Sequence, residues 1–318
     1  MKLKISTDDA HILKNICGSN NENLKIIEDK YHIILSLNAN ILSFENEELK
    51  DELEKLFNFL VNVSLLDIHI KSRDINYYIN LIKSGEENRF IEYLKNKKPV
   101  CFTYSNKPIF AKTLKQNEYI EKLKIRDLIY AIGSAGSGKT YLAVCFAASE
   151  LKKNNIKRII LTRPAVEAGE SLGFLPGDLK EKVDPYLKPL YDALYDMFGL
   201  DQTNQMIEKG AIEIAPLAYM RGRTLDDAII ILDEAQNATL DQLKMFLTRL
   251  GVNSKMILTG DLSQIDLPKT KTSGLRLAID ITRDLRGVEV INFEKMDVIR
   301  HPLVSQIIDR FEKIEKEV

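Results

Sequence analysis

The residues best suited to chemistry form one short run, Gly133-Ser134-Ala135-Gly136-Ser137-Gly138-Lys139-Thr140, which fits the phosphate-binding pattern G-x-x-x-x-G-K-[ST]. Glycines let the backbone curl until its N–H groups surround phosphate oxygens. Lys139 is then expected to reach β- and γ-phosphates, and the Thr140 hydroxyl to hold Mg²⁺. A second run, Ile229-Ile230-Ile231-Leu232-Asp233-Glu234, ends an apolar stretch in two carboxylates. Asp233 is expected to hold Mg²⁺ on the side facing Thr140, and Glu234 to orient and polarise an attacking water. A third, Leu258-Thr259-Gly260-Asp261-Leu262-Ser263-Gln264, again places polar groups just past an apolar run. Gln264 is a candidate γ-phosphate sensor, because an amide both donates to phosphate and accepts from water. Together these are the parts of a site for a nucleoside triphosphate.

Other candidates depend on context. Gln116 lies upstream of the glycine loop, where an amide can read the edge of adenine, although a single glutamine is usually surface decoration. Arg300 is either an arginine finger for phosphoryl transfer or a helix-start arginine in a surface ion pair, and spacing favours neither. Arg163-Pro164 and Arg221-Gly222-Arg223-Thr224 offer cations for nucleic-acid phosphate, a neighbouring subunit or solvent. His11, His32 and His69 stand singly and read as structural.

The elements that must position these groups follow from apolar periodicity. Asp127 to Ile132 reads as a strand before the glycine loop, and Tyr141 to Leu151 as a helix after it. That context puts a helix N-terminus, with its dipole, behind the bound phosphate. Further strands are expected at Arg158–Thr162, Ile212–Ala218, Ala228–Leu232, Lys255–Thr259 and Val288–Phe293. Nearly continuous apolar runs suit strands buried on both faces of a mostly parallel sheet with helices on either side. Ligands in such sheets sit at the carboxyl ends of the strands, where each motif above falls.

Residues 1–96 read as a small α+β unit. A helix carrying Ile12, Leu13 and Ile16 stops at Gly18, and another starts near Asn23. A hairpin joins His32–Leu37 to Ile41–Phe44, and helices cover Asn46–Val63 and Ile75–Lys83. Low apolar content and two prolines around Glu86–Pro108 suggest a linker at 97–112, with a nucleotide-binding domain over 113–318. Only 265–318 follow Gln264, so a second domain of the same kind is not expected there, nor strand separation by a monomer.

Bulk properties set outer limits. Of 318 residues, 45% are hydrophobic and 29% charged, as in ordinary globular domains, and the formal net charge of −1 announces no polyanion partner. Three cysteines, at 17, 101 and 145, have no paired spacing, which fits neither a disulfide framework nor zinc and suits a reducing cytoplasm. The start of the chain lacks a signal-peptide pattern, and no apolar run approaches a membrane span.

Taken together, Gln116, Gly133–Thr140, Arg163-Pro164, the Ala168–Gly177 loop, Tyr219–Thr224, Asp233 to Asn237, Gly260-Asp261 with Gln264, Ser273-Gly274-Leu275 and Asp297 to His301 resemble the PhoH-like ATPases over 110–310. The N-terminal pattern is similar to the KH-like extension of that family. Its nearest counterpart to an RNA-clamping GXXG loop, Gly18-Ser19-Asn20-Asn21, lacks the second glycine. The resemblance implies a cytosolic P-loop ATPase, RecA-like and related to superfamily 1 helicases, using ATP and Mg²⁺. It further implies a link to RNA metabolism, ring-shaped homo-oligomers such as hexamers, and partnership with a ribosomal-RNA-processing endoribonuclease. The first functional expectation is therefore ATP hydrolysis coupled to RNA remodelling or processing. The alternative is a nucleotide-gated scaffold that recruits a nuclease and does little mechanical work. Phosphoryl transfer to a small molecule fits less well, because Glu234 suits water activation.

Overall fold

A computed structural model describes residues 1–164, 179–268 and 272–299, together with positions 303, 304, 307 and 310. The chain divides into two compact units, Met1–Lys97 with Met296–Val318, and Lys98–Lys295.

In the first unit, β1 (Lys2–Lys4), β2 (Ser36–Asn38) and β3 (Ile41–Ser43) form an antiparallel sheet in the order β1-β3-β2. With it go α1 (Ala10–Cys17), α2 (Glu22–Tyr31), α3 (Lys50–Leu65), α4 (Ser72–Ser84) and α5 (Glu87–Asn96). Asp9 caps α1 by accepting from the backbone N–H groups of His11 and Ile12, and Gly18 ends it. The expected hairpin is present but shorter, because its turn at Ala39 takes a left-handed backbone and only 36–38 pair with 41–43.

In the second unit, β4 (Cys101–Phe102) and β5 (Pro108–Ile109) form a hairpin ahead of α6 (Leu114–Ile125). The stretch 97–112, expected as a linker, thus carries structure of its own, with Cys101 buried in the second unit's core. A few apolar residues there are diluted by lysine, asparagine and proline, which hides them from a periodicity reading.

The main sheet comprises β6 (Leu128–Gly133), β7 (Arg158–Arg163), β8 (Ile212–Pro216), β9 (Ala228–Leu232), β10 (Lys255–Gly260) and β11 (Val288–Phe293). Its order is β11-β6-β10-β9-β7-β8, and every described pairing within it is parallel. All six strands lie where the apolar runs place them. Successive side chains alternate between two cores. Ile129, Ala131, Ile159, Ile231 and Ile257 pack beneath α6, α7 (Lys139–Lys152) and α8 (Leu179–Phe198). Tyr130, Ile160, Ile230, Leu232 and Leu258 face α10 (Leu240–Leu247) and α11 (Leu275–Thr282). A further helix, α9 (Leu200–Glu208), precedes β8. Burial on both faces makes the sheet rigid, and its carboxyl edge carries the motifs. No helix among the described residues is long and apolar enough to cross a membrane.

Candidate nucleotide-hydrolysis site

The glycine loop leaves the end of β6 and enters α7 at Lys139. Gly133 has φ +141°, and a Cβ there would lie 2.2 Å from the Phe293 carbonyl oxygen, so only glycine fits between β6 and β11. Gln116, buried on α6, braces the loop: its Nε2 donates to Ser137 O at 3.0 Å and its Oε1 accepts from Lys112 N at 2.6 Å. The amide therefore holds the loop from behind, and Gln116 is not among the residues lining the cavity described below. Lys139 Nζ donates to Gly133 O at 2.6 Å, Ser134 O at 2.9 Å and Ser137 Oγ at 3.2 Å. The ammonium is thereby held over the loop.

The two carboxylates fall at the end of β9, between β10 and β7. Thr140 Oγ1 donates to Asp233 Oδ1 at 2.6 Å, and Thr259 Oγ1, from β10, donates to the same oxygen at 2.8 Å. Asp233 is only 7% exposed, and among the described residues no ion pair neutralises it. A buried carboxylate ringed by hydroxyls calls for a cation. Hard oxygen donors, with phosphate oxygens completing the shell, suit Mg²⁺. The residues present therefore fit that ion: Thr140 and Asp233 would hold it, with Thr259 orienting Asp233. When bound, the ion neutralises charge that develops on the phosphates.

Glu234 follows with φ +52°, a left-handed backbone uncommon for a residue with a side chain. Such a conformation persists only where surroundings enforce it. Here Gln236 Nε2 donates to Glu234 Oε2 at 2.6 Å, and Arg163 Nη2, from the end of β7, lies 3.3 Å from Oε1. Gln236 also accepts from Asp261 N at 3.0 Å through its Oε1. Asp261 Oδ2 in turn accepts from Ala135 N at 3.3 Å, tying the loop after β10 to the glycine loop. Its Oδ1 accepts from Ser263 N and Oγ, which closes a turn and brings Gln264 to the site. Burial beside Asp233 pushes the Tyr119 phenol well above its ordinary range, so it stays neutral under the site.

These groups surround one cavity of about 210 Å³, lined by Ala135, Gly136, Gly138, Lys139, Thr140, Tyr141, Asp233, Glu234, Gly260, Asp261 and Gln264. The sequence expectations for Lys139, Thr140, Asp233, Glu234 and Gln264 therefore meet in one place. Thr259 and Gln236 carry roles the sequence reading left unassigned, although both lie within motifs it singled out. Arg300 and the Ala168–Gly177 loop lie outside the described residues. Of the remaining cations, Arg223 is held in a bidentate pair by Glu213 at 2.5 and 2.7 Å, while Arg221 is exposed.

The profile of the family described as PhoH-like protein matches residues 108–312. The chain belongs to the PhoH family. It is 48% identical over 316 residues to the PhoH-like protein of Bacillus subtilis (strain 168), covering 98% of this chain and 97% of that protein. It is 44% identical over 206 residues to Protein PhoH of Escherichia coli (strain K12), covering 64% of this chain and 58% of that one. Among solved structures, the Pif1 helicase from Candida albicans matches 62% of this chain and 42% of that chain at 16% identity, with a TM-score of 0.32. The glycine loop between β6 and α7, with the family match, makes the chain a P-loop protein.

Proposed function

We propose that the chain is an Mg²⁺-dependent ATPase that couples hydrolysis to the remodelling or processing of RNA. The observation that carries the ATPase reading is the convergence, around one cavity, of a phosphate loop, the Thr140–Asp233–Thr259 oxygen cluster and the backbone-constrained Glu234. In this reading the loop N–H groups and Lys139 bind and orient the triphosphate, and Glu234 takes a hydrogen bond from the attacking water. Gln264 senses the γ-phosphate from the turn set by Asp261.

The remainder rests on the family resemblance: adenine as the base, RNA as the coupled substrate, and a cytoplasmic ring-shaped homo-oligomer. So do a KH-like character for residues 1–96, an arginine finger at Arg300, and an rRNA-processing endoribonuclease as partner. Steady-state ATP hydrolysis with Mg²⁺, with and without single-stranded RNA, tests the proposal. Turnover that rises with RNA supports it. Tight ATP binding without turnover under any condition would replace it with the nucleotide-gated scaffold.

A further inference from the structure

We infer that Arg163 gates Glu234, and that a single-stranded polynucleotide crossing the carboxyl ends of β7 and β8 opens the gate. The inference rests on the ATPase reading above and adds what controls it. Both oxygens of Glu234 have partners: Gln236 on Oε2 and the Arg163 guanidinium on Oε1. A carboxylate that polarises water must offer that water an oxygen. A cation at Oε1 crowds one of that oxygen's two lone pairs and withdraws charge from the carboxylate, which weakens it as a base. Gln236 positions the group, whereas Arg163 masks it.

The mask is removable. The two side chains of the pair are 25% and 35% exposed, and a partly solvated ion pair is weak and easily exchanged. A phosphodiester competes well for it, because guanidinium binds phosphate through paired hydrogen bonds. Glu234 need not move when the arginine leaves, since its backbone is fixed at φ +52° by the structure around it.

A polynucleotide is favoured over a small anion by the neighbouring strand. Arg163 pairs with Pro216 across the β7–β8 ladder. The turn that follows Pro216 presents Tyr219, 52% exposed, and Arg221, also exposed. An exposed ring beside cations is what a single strand uses: bases stack on the ring while phosphates meet the arginines. Arg223 is committed to Glu213 and is not part of this surface. A strand stacked on Tyr219 brings phosphate toward Arg163, draws the guanidinium off Glu234, and so ties turnover to occupancy.

The full chain, with Arg163→Ala and Arg163→Gln as alternative neutral variants and Arg163→Lys as the conservative one, is assayed for ATP turnover and ATP affinity with and without single-stranded oligouridylate. The gate predicts that either neutral variant turns over about two- to fivefold faster than wild type without oligouridylate, the rate equivalent of one partly exposed ion pair. Added oligouridylate should produce no further rise, ATP affinity should stay unchanged, and Arg163→Lys should restore part of the repression. Fluorescence anisotropy should show the Tyr219→Ala/Arg221→Ala double variant binding oligouridylate about tenfold more weakly. Neutral variants with unchanged or lower basal turnover that are still stimulated by oligouridylate would overturn the gate. So would a wild-type protein that hydrolyses ATP and ignores oligouridylate, which leaves the ATPase reading intact. A wild-type protein that binds ATP and never hydrolyses it removes both.

Discussion

Replacing Gln236 with methionine keeps the length of the side chain and removes both polar ends. One end serves Glu234 and the other accepts from the buried Asp261 N–H, in a residue only 1% exposed. Leaving that N–H without an acceptor costs about 1–3 kcal/mol. The bond to Glu234 adds less, about 0.5 kcal/mol, because that carboxylate is 35% exposed and water replaces part of the loss. A total near 2 kcal/mol lowers the melting temperature of a unit of about 200 residues by roughly 4–8 °C. The rate should fall further than stability implies. Glu234 loses the contact that aims it, and misplacement of a catalytic group by about 1 Å costs up to ~100-fold. The assay pairs thermal unfolding with steady-state ATP turnover, and ATP affinity is measured separately by titration. The expected result is a lower melting temperature, kcat reduced about 10- to 100-fold, and ATP affinity largely kept. A variant with wild-type melting and wild-type kcat would refute the idea that Gln236 links Glu234 to the loop after β10.

Thr259→Val removes one of the two hydroxyls on Asp233 Oδ1. It should raise the Mg²⁺ concentration needed for half-maximal turnover about tenfold, the usual scale for a group that orients a metal ligand, and a Mg²⁺ titration checks this. Gly274→Ala would put a Cβ 2.2 Å from Leu240 N and 2.4 Å from its Cα, where α11 closes on α10. Overpacking of that kind should cost about 1–3 kcal/mol, read as a fall in melting temperature. Glu289 tests pH dependence. Burial raises its carboxyl, but hydrogen bonds and charge from Lys122 and Arg126 outweigh that and hold it below the ordinary glutamate range. A depressed folded value contributes stability above about pH 4.3, lost as pH falls through the folded value. Glu289→Gln should therefore be less stable than wild type at pH 7, by about 1 kcal/mol or less, because the carboxylate and its two partners are partly solvated. The gap should close as denaturation is repeated toward pH 3.

The inner strands β6, β10, β9 and β7 were readable because each is apolar along most of its length, as burial on both faces demands, and the edge strands β8 and β11 because their apolar residues still stand out around Glu213, Glu289 and Asn292. The core of the site was readable for a related reason: its motifs follow those strands directly. What stayed hidden depends on which strands are neighbours. The pairing of Arg163 with Glu234 needs β7 beside β9, and the placing of Thr259 on Asp233 needs β9 beside β10. Chain order states neither adjacency. Local signals failed where elements bury little. α5 has Phe90 as its one buried residue, and β4 and β5 are two residues each, so polar composition made both resemble linker. Gln116 illustrates a different limit: nothing in the sequence around a single amide announces that it braces a loop, as Gln116 does through Ser137 O and Lys112 N.

Hydrolysis of a nucleoside triphosphate in this cavity depends, in the mechanism proposed above, on Glu234. The most direct measurement is Mg²⁺-dependent ATP turnover by the wild-type chain and Glu234→Gln in parallel, with ATP binding titrated for both. The expected result is turnover in the wild type, its loss in Glu234→Gln, and comparable ATP affinity in the two. Equal turnover in both proteins, or a wild-type chain that does not bind ATP, would contradict it.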